Sequence, residues 1–417
     1  MKNGRTIITG AKLVLPYEVI KGDILINGDI IEAIFPCGLD FYPGFDIFPG
    51  DSSSIDAEGM YVLPGIIDIH SDAVEREIAP RPHAYFPIEF SLYELDKKIV
   101  SSGITTIYHS LSLSGAGAVG VREDQMVIDI IDNIVHQNLK RSMARSLVHL
   151  RYEVTHIEGA PLVKELLGRN LVHMFSFMDH TPGQGQYTKP GTYEQYAMKT
   201  YGLSPEKIQM ITDEAKNRRQ QVDPAVLKEL SRIARVKGIK IASHDDDTYD
   251  KLNAMLELGV TISEFPINIE TALYAKAKGV FIAVGAPNVV RNASHGNNLK
   301  ATEAITAGAA DILCSDYYPP AMLAAVFKLM ALGIKLQDAV RMISTNPAKA
   351  AGIDHLCGSI EVGKRADLVI VELENNHPFV RKTIVGGTIV YQSNFIQHIE
   401  QGRERHEEFE YSRSFGS

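Results

Sequence analysis

From Arg5 to about Ile55, short apolar runs are cut by polar turns: Thr6-Ile7-Ile8, Lys12-Leu13-Val14-Leu15, Ile24-Leu25-Ile26 and Asp29-Ile30-Ile31. Asn27-Gly28, between the last two runs, is a hairpin signal, since both residue types accept positive φ. The same texture returns in Ala366 to Val371 and in Thr383 to Tyr391, broken there by Gly386-Gly387. The two ends are therefore expected to share one small β-domain made of residues 1–61 and 358–393, with a polar Glu/Arg-rich tail over 394–417.

Between these ends buried apolar runs alternate with helical segments, the mark of βα units around a parallel sheet. Eight strands are predicted: Val62 to His70, Thr105 to Leu111, Ala144 to Val154, Leu171 to His180, Ile239 to His244, Val260 to Phe265, Val280 to Gly285 and Ile312 to Asp316. Helical spacers include Pro224 to Lys237 and Tyr249 to Leu258, where apolar residues recur every three to four positions. Eight units predict an α/β fold, a closed (β/α)8 TIM-type barrel over residues 62–357, beside a small β-sandwich domain built from both chain ends.

Composition narrows the functional classes. The 417 residues are 45% hydrophobic and 22% charged, the balance of a globular protein with a large core. Lys+Arg 42 against Asp+Glu 51 gives −9, which speaks against nucleic acid or an anionic membrane as partner, since both require a basic face. The longest apolar runs fall short of the ~18 residues of a membrane span. Cys37, Cys314 and Cys357 are scattered and form no Cys-x-x-Cys pair, which suits a reducing cytoplasm. A cytoplasmic protein is expected, any anionic ligand would have to be held by a local cluster of arginines, and homo-oligomerisation stays open.

In a barrel of this type the active site lies at the carboxyl ends of the strands. Polar groups collect there: His70 and Asp72 at the first, Glu153 at the third, His180 at the fourth, His244 at the fifth and Asp316 at the eighth. The two-residue period of a strand points His70 and Asp72 the same way. A single His is as often a satisfied structural residue as a ligand. Six donors at one barrel mouth favour a metal, so these six are candidate ligands of one or two divalent cations, zinc or manganese by their nitrogen and oxygen donors. Two such ions bring +4 against −3 from Asp72, Glu153 and Asp316, leaving about +1 to attract an anion. Water acidified by the metal would supply hydroxide near neutral pH, with the catalytic Asp316 taking its proton and returning it to the leaving group. His109, His149 and His295 are left undecided, and His173, which opens a strand, is read as structural.

Arg76, Arg81, Arg151 and Arg291 form a second group. Arg81 sits in Pro80-Arg81-Pro82, where a stiff backbone presents the guanidinium with little freedom to lose, as in a phosphate clamp. Arg291 belongs to the polar stretch Gly285 to Asn298, which also carries Asn288, Ser294 and His295, and Gln184 lies in the Asp179 to Gln186 stretch. Both stretches are read as loops that wrap a phosphorylated ligand. The alternative for each arginine is a surface ion pair. Glu264, Asp245, Asp246 and Asp247 are either partners that orient ligands or carboxylates at helix N-termini.

Leu63-Pro64-Gly65-Ile66-Ile67-Asp68-Ile69-His70, the donors at the strand ends and Gly363-Lys364-Arg365-Ala366-Asp367-Leu368-Val369 together resemble the amidohydrolase superfamily. More narrowly, His149-Leu150-Arg151-Tyr152-Glu153, Ser176 to Gln184, Ala242 to Asp246, Gly285 to Arg291 and Ser315-Asp316-Tyr317-Tyr318-Pro319 resemble the diphosphatases of the carbon–phosphorus lyase pathway. The likeness runs from about residue 6 to residue 391. It implies hydrolysis of α-D-ribose 1-methylphosphonate 5-triphosphate to the 5-phosphate and pyrophosphate. This chain departs from the family at Ala73-Val74, Phe86-Pro87 and Asn292 to Asn298. Two other classes stay open: the same scaffold acting on a cyclic amide, a lactone or a deamination substrate, and a catalytically inactive scaffold.

Overall fold

The computed structural model describes residues 4–36, 53–115, 120–188, 204–294 and 298–396, with 191, 193, 194 and 198. Strand β1 (Arg5–Val14) pairs antiparallel with β2 (Val19–Asn27), which turns through Gly28-Asp29 into β3 (Ile30–Pro36). Strands β4 (Ser53–Asp56) and β5 (Tyr61–Pro64) run parallel to β1.

The chain then enters the barrel. Strands β6 (Ile66–Ser71), β7 (Ile104–Leu113), β8 (Arg145–Glu153), β9 (Met174–Met178), β10 (Lys240–His244), β11 (Ile262–Glu264), β12 (Phe281–Gly285) and β13 (Ile312–Cys314) pair in sequence order, all parallel. The ring closes where Ser71 bridges Asp316 and the Asp316 N–H donates to the His70 carbonyl at 3.0 Å. The predicted barrel is therefore present, with one correction. The run Val62 to His70 is two strands, not one: β5 belongs to the small sheet and β6 to the barrel. Both halves are buried, so the apolar pattern runs on unbroken through the change of sheet. Gly65 marks the break, because a Cβ there would collide with the Thr105 hydroxyl and lie 2.6 Å from its methyl.

Helices Pro224–Val236 and Tyr249–Glu257 occupy the predicted spacers, with the side chains of Asp223 and Thr248 accepting the N–H of Ala225 and of Lys251. The stretch after β12 is not a continuous loop. Residues Ala286–Arg291 form a short helix with a proline in its first turn, ended by Asn292 in the left-handed region at φ 53°. Among the described residues no helix is long and apolar enough to cross a membrane.

After the barrel the chain adds β14 (Leu368–Glu374), β15 (His377–Val385) and β16 (Thr388–Gln392), and β14 pairs antiparallel with β5. One eight-stranded sheet results, ordered β16-β15-β14-β5-β1-β2-β3 with β4 on β1, built from both ends of the sequence. The two glycine hairpins foreseen in the sequence meet tip to tip: a Cβ on Gly387 would overlap the Gly28 carbonyl oxygen, so only glycine fits. An ion pair of 2.6 Å between Arg145, at the start of β8, and the buried Asp367 pins this sheet to the barrel.

Inside the barrel, Tyr108, Met174, Ala242, Ile262, Ala283 and Ile312 form an apolar floor. The wall outside is packed by helices against Val148, Leu150, Phe175, Ile241, Ile282 and Leu313. Stepping by two from the floor along each strand reaches Ser176, His244 and Glu264, and by four reaches Asp316. A polar layer thus lies directly above an apolar one.

Candidate metal centre

Three donor groups meet in that polar layer. His70, Asp72 and Asp316 offer atoms within 4.8 Å of one another; so do His180, His244 and Asp245; so do the fully buried His70, His149 and Glu264. The His70 and His180 rings each lie 5.6 Å from that of His244, so the groups are continuous. His70 and Asp72 come together for a reason other than strand alternation. Asp72 lies beyond the end of β6, at the start of helix Ala73–Ile78, and the register of β6 is irregular between Asp68 and Ser71.

Each imidazole is oriented by a partner, which decides the nitrogen it can offer. His70 places Nδ1 on Glu264 Oε1 at 2.8 Å, and its Nε2 faces Asp72 Oδ1 at 3.8 Å. The Ser176 hydroxyl donates to Glu264 Oε2 at 3.1 Å. Burial disfavours charge on both His70 and Glu264, yet their mutual attraction and hydrogen bond prevail: His70 is raised above the ordinary histidine value and Glu264 held far below the carboxylate range. His180 repeats the arrangement, with Nδ1 2.8 Å from Glu153 Oε2 and its backbone N–H on the same carboxylate. Burial works against its charged form, but the Glu153 hydrogen bond and charge, aided by Asp245, raise it.

His244 sits between Arg151 Nη2, 3.3 Å from its Nε2, and Asp245 Oδ2, 3.2 Å from its Nδ1, and burial holds its pKa down. His149 directs Nδ1 to the Ile69 carbonyl at 3.0 Å, and burial lowers it to about 4, so it is neutral. Asp316 is raised to about 6, first by burial and then by the charge of Asp72. The backbone bends sharply at this rim. Asp245, Phe265 and Asp316 have φ of 54°, 53° and 56°, a left-handed conformation that is uncommon for residues other than glycine and clusters at functional sites. The Phe265 ring packs edge-on against His70 at 4.9 Å.

The donor set suits a divalent cation. His149 Nε2 is buried without a hydrogen-bond partner among the described residues, an arrangement that costs free energy unless something fills it. Five carboxylates, Asp72, Glu153, Asp245, Glu264 and Asp316, face one buried guanidinium, Arg151, which leaves a formal −4 when all are ionised. Two divalent ions would cancel that charge, where the sequence alone, counting three carboxylates, gave about +1.

Of the ligands expected from sequence, His70, Asp72 and Asp316 meet in one group and His180 and His244 in another, while Glu153 stands against His180 and shares neither group. Asp245, Glu264 and His149 enter the cluster although the sequence reading left them as orienting partners or undecided. Asp246 and Asp247 immediately precede Thr248, which caps helix Tyr249–Glu257, and their side chains also make contacts of their own. Asp246 accepts the hydroxyls of Ser243 and Ser263, and Asp247 accepts the Gly185 N–H and the Thr188 hydroxyl, tying down the loop that holds Gln184. His109 is fully buried, meets Ser146 Oγ at 3.1 Å and is lowered by burial to about 4, and His173 accepts the Val148 N–H at 3.1 Å; both support strands.

The arginines divide. Arg151 is buried, with Nη1 on Asp72 Oδ1 at 2.9 Å. Arg76 and Arg291 both meet Tyr317, a residue of the Ser315 to Pro319 motif to which the sequence assigned no role. Arg81 is exposed in a turn closed by the Ala84 N–H on its carbonyl. Asn288 has a buried, unpartnered Oδ1, and the missing Cβ of Gly285 leaves space beside both Asn288 and Asp316. Ser294 donates to the Asn298 carbonyl, and His295 lies outside the described residues.

Comparison with known proteins adds ancestry to this geometry. The profile of the amidohydrolase family matches residues 190–390. An α-D-ribose 1-methylphosphonate 5-triphosphate diphosphatase of Escherichia coli (strain K12) is 32% identical over 376 residues, covering 89% of this chain and 96% of that protein. An imidazolonepropionase of Porphyromonas gingivalis is 23% identical over 375 residues, 82% of this chain and 83% of that protein. The crystal structure of N-acetylglucosamine-6-phosphate deacetylase from Pasteurella multocida superposes with a TM-score of 0.59 at 15% identity, covering 92% of this chain and 99% of that one, a likeness of fold. With a third of positions shared over nearly the full length of the E. coli enzyme, this chain belongs to the amidohydrolase family.

Proposed function

We propose that this protein is a metal-dependent diphosphatase that cleaves α-D-ribose 1-methylphosphonate 5-triphosphate to the 5-phosphate and pyrophosphate. The observation that carries the reading is the 32% identity, over 89% of this chain, to the E. coli enzyme of that activity. The barrel mouth supports it with chemistry suited to hydrolysis at phosphorus. His70, Asp72 and Asp316 would hold one cation and His180, His244 and Asp245 a second, with Glu264 and Glu153 orienting the first imidazole of each set. Nitrogen and oxygen donors without thiolate fit zinc or manganese. A bound divalent ion supplies positive charge that brings the pKa of water towards about 7 and offsets charge on phosphoryl oxygens.

The protein's own groups do the rest. Asp316, beside His70 and Asp72 at the barrel mouth, accepts a proton from the attacking water at a carboxylate oxygen and delivers it to the oxygen of the departing diphosphate. Arg76, Arg151 and Arg291 offer planar donor forks to phosphoryl oxygens, and Asn288 adds an amide beside Asp316. The test is pyrophosphate release from the ribosyl triphosphate by zinc- or manganese-loaded protein, run beside a panel of cyclic amides and lactones. Stoichiometric pyrophosphate is expected, and turnover of the panel alone would reject the assignment.

A further inference from the structure

Arg76 and Arg291 reach the barrel mouth from the two neighbours of β13. Arg76 lies on the short helix that follows β6, and Arg291 ends the helix that follows β12. Tyr317 follows β13 between them, next in sequence after Asp316, and engages both. The Arg76 guanidinium stacks over the Tyr317 ring at 4.9 Å, and Arg291 Nη1 donates to the Tyr317 hydroxyl at 3.1 Å. A phenol fixes two guanidinium groups without neutralising them, whereas a carboxylate at this point would cancel their charge. Each guanidinium presents a fork that matches one phosphoryl group, so a tethered pair matches two phosphoryl groups in a row.

We propose that Tyr317 is a positioning residue: it sets the separation of Arg76 and Arg291 so that the pair grips the diphosphate portion of a polyphosphate chain whose near end lies at Asp316. This deepens the diphosphatase reading and rests on it for the identity of the substrate, but the grip itself is testable without turnover. Metal-loaded wild type, Tyr317→Phe and Tyr317→Leu are titrated calorimetrically with tripolyphosphate and with inorganic phosphate, and kcat and KM are measured on the ribosyl triphosphate. Tyr317→Phe keeps the ring and loses the hydroxyl, and tripolyphosphate affinity is expected to fall about tenfold, the worth of one hydrogen bond to a charged group. Inorganic phosphate, which spans one fork, is expected to change less than about twofold. Tyr317→Leu loses both contacts and binds tripolyphosphate more weakly still. In both variants KM rises by a larger factor than kcat falls, at unchanged metal content. Tyr317→Phe binding tripolyphosphate as wild type does would overturn the proposal. So would equal loss of both ligands together with lost metal, the signature of a merely structural tyrosine. Wild type that binds tripolyphosphate in a Tyr317-dependent way but releases no pyrophosphate from the ribosyl triphosphate would reject the substrate assignment and uphold the clamp.

Discussion

Replacing Glu264 by Gln exchanges one carboxylate oxygen for an amide nitrogen at nearly constant volume, in a position with no exposure to solvent. In the native protein Oε1 lies 2.8 Å from His70 Nδ1 and Oε2 takes the Ser176 hydroxyl at 3.1 Å. The amide keeps one acceptor but loses the charge that holds His70 in a single tautomer and raises its pKa. A hydrogen bond to a charged group contributes about 1.5–3 kcal/mol and a neutral one about 0.5–1.5. About 1–2 kcal/mol of orientation is therefore lost, a roughly 5- to 30-fold drop in metal affinity, which overlaps the roughly 10- to 100-fold that follows removal of such a partner. The assay is competition for zinc against a chromophoric chelator at pH 7.5, with circular dichroism to verify folding. A weakening within that range is expected, and Ser176→Ala should show a smaller loss because it leaves the charge in place. A folded Glu264→Gln protein with affinity within twofold of wild type would refute the reasoning, since His70 would then need no anionic partner to present Nε2.

Asp316→Asn keeps a residue type that tolerates the left-handed backbone at φ 56° and should fold normally while losing pyrophosphate release by at least about a thousandfold; Asp316→Ala should in addition lose about 1 kcal/mol of stability by thermal denaturation. His70 and His180 are raised above the ordinary histidine value in the metal-free protein, so each holds a proton more readily and a cation must compete with protons for both. Calorimetry in buffers of different ionisation enthalpy should report that competition, and apparent affinity should climb with pH until both are deprotonated. Asp68 is raised from 3.8 to about 6, chiefly by burial, so the folded metal-free protein holds its proton more tightly than the unfolded chain. Its stabilising effect is complete below pH 3.8 and lost as pH rises through 6. By pH 8 ionised Asp68 costs about 3 kcal/mol at 1.36 kcal/mol per unit. Metal-free Asp68→Asn should therefore melt higher than wild type at pH 8 by a margin that shrinks towards pH 4.

The barrel was legible in the sequence because every βα unit leaves two separable traces, a buried apolar run and a helical period. The small sheet announced itself through Gly28, whose turn lies one residue later than the Asn27-Gly28 signal suggested, and through Gly386-Gly387, all three at positive φ. The boundary between sheet and barrel was not legible, since burial on both sides of Gly65 makes β5 and β6 one apolar run. At the mouth, His70, His180, His244 and Asp316 stand out as imidazoles and a carboxylate ending strands. Glu264 ends a strand of three residues, and Asp245 heads a run of three aspartates that also suits a helix start. What draws both into the cluster is backbone at positive φ, at Asp245 itself and at Phe265, and of these only Asp carries a sequence hint, because it tolerates that conformation. Tyr317 stood in a motif without a legible role, because that role comes from arginines 241 and 26 residues away in sequence that only the closed ring brings beside it.

Elemental analysis of purified wild-type protein and of His180→Ala bears most directly on whether imidazoles and carboxylates from separate strands hold cations together. Wild type is expected to carry one or two divalent ions per chain, and the folded variant to lose at least one of them along with pyrophosphate release. A metal-free yet active wild type, or a variant that keeps its full metal and activity, would contradict it.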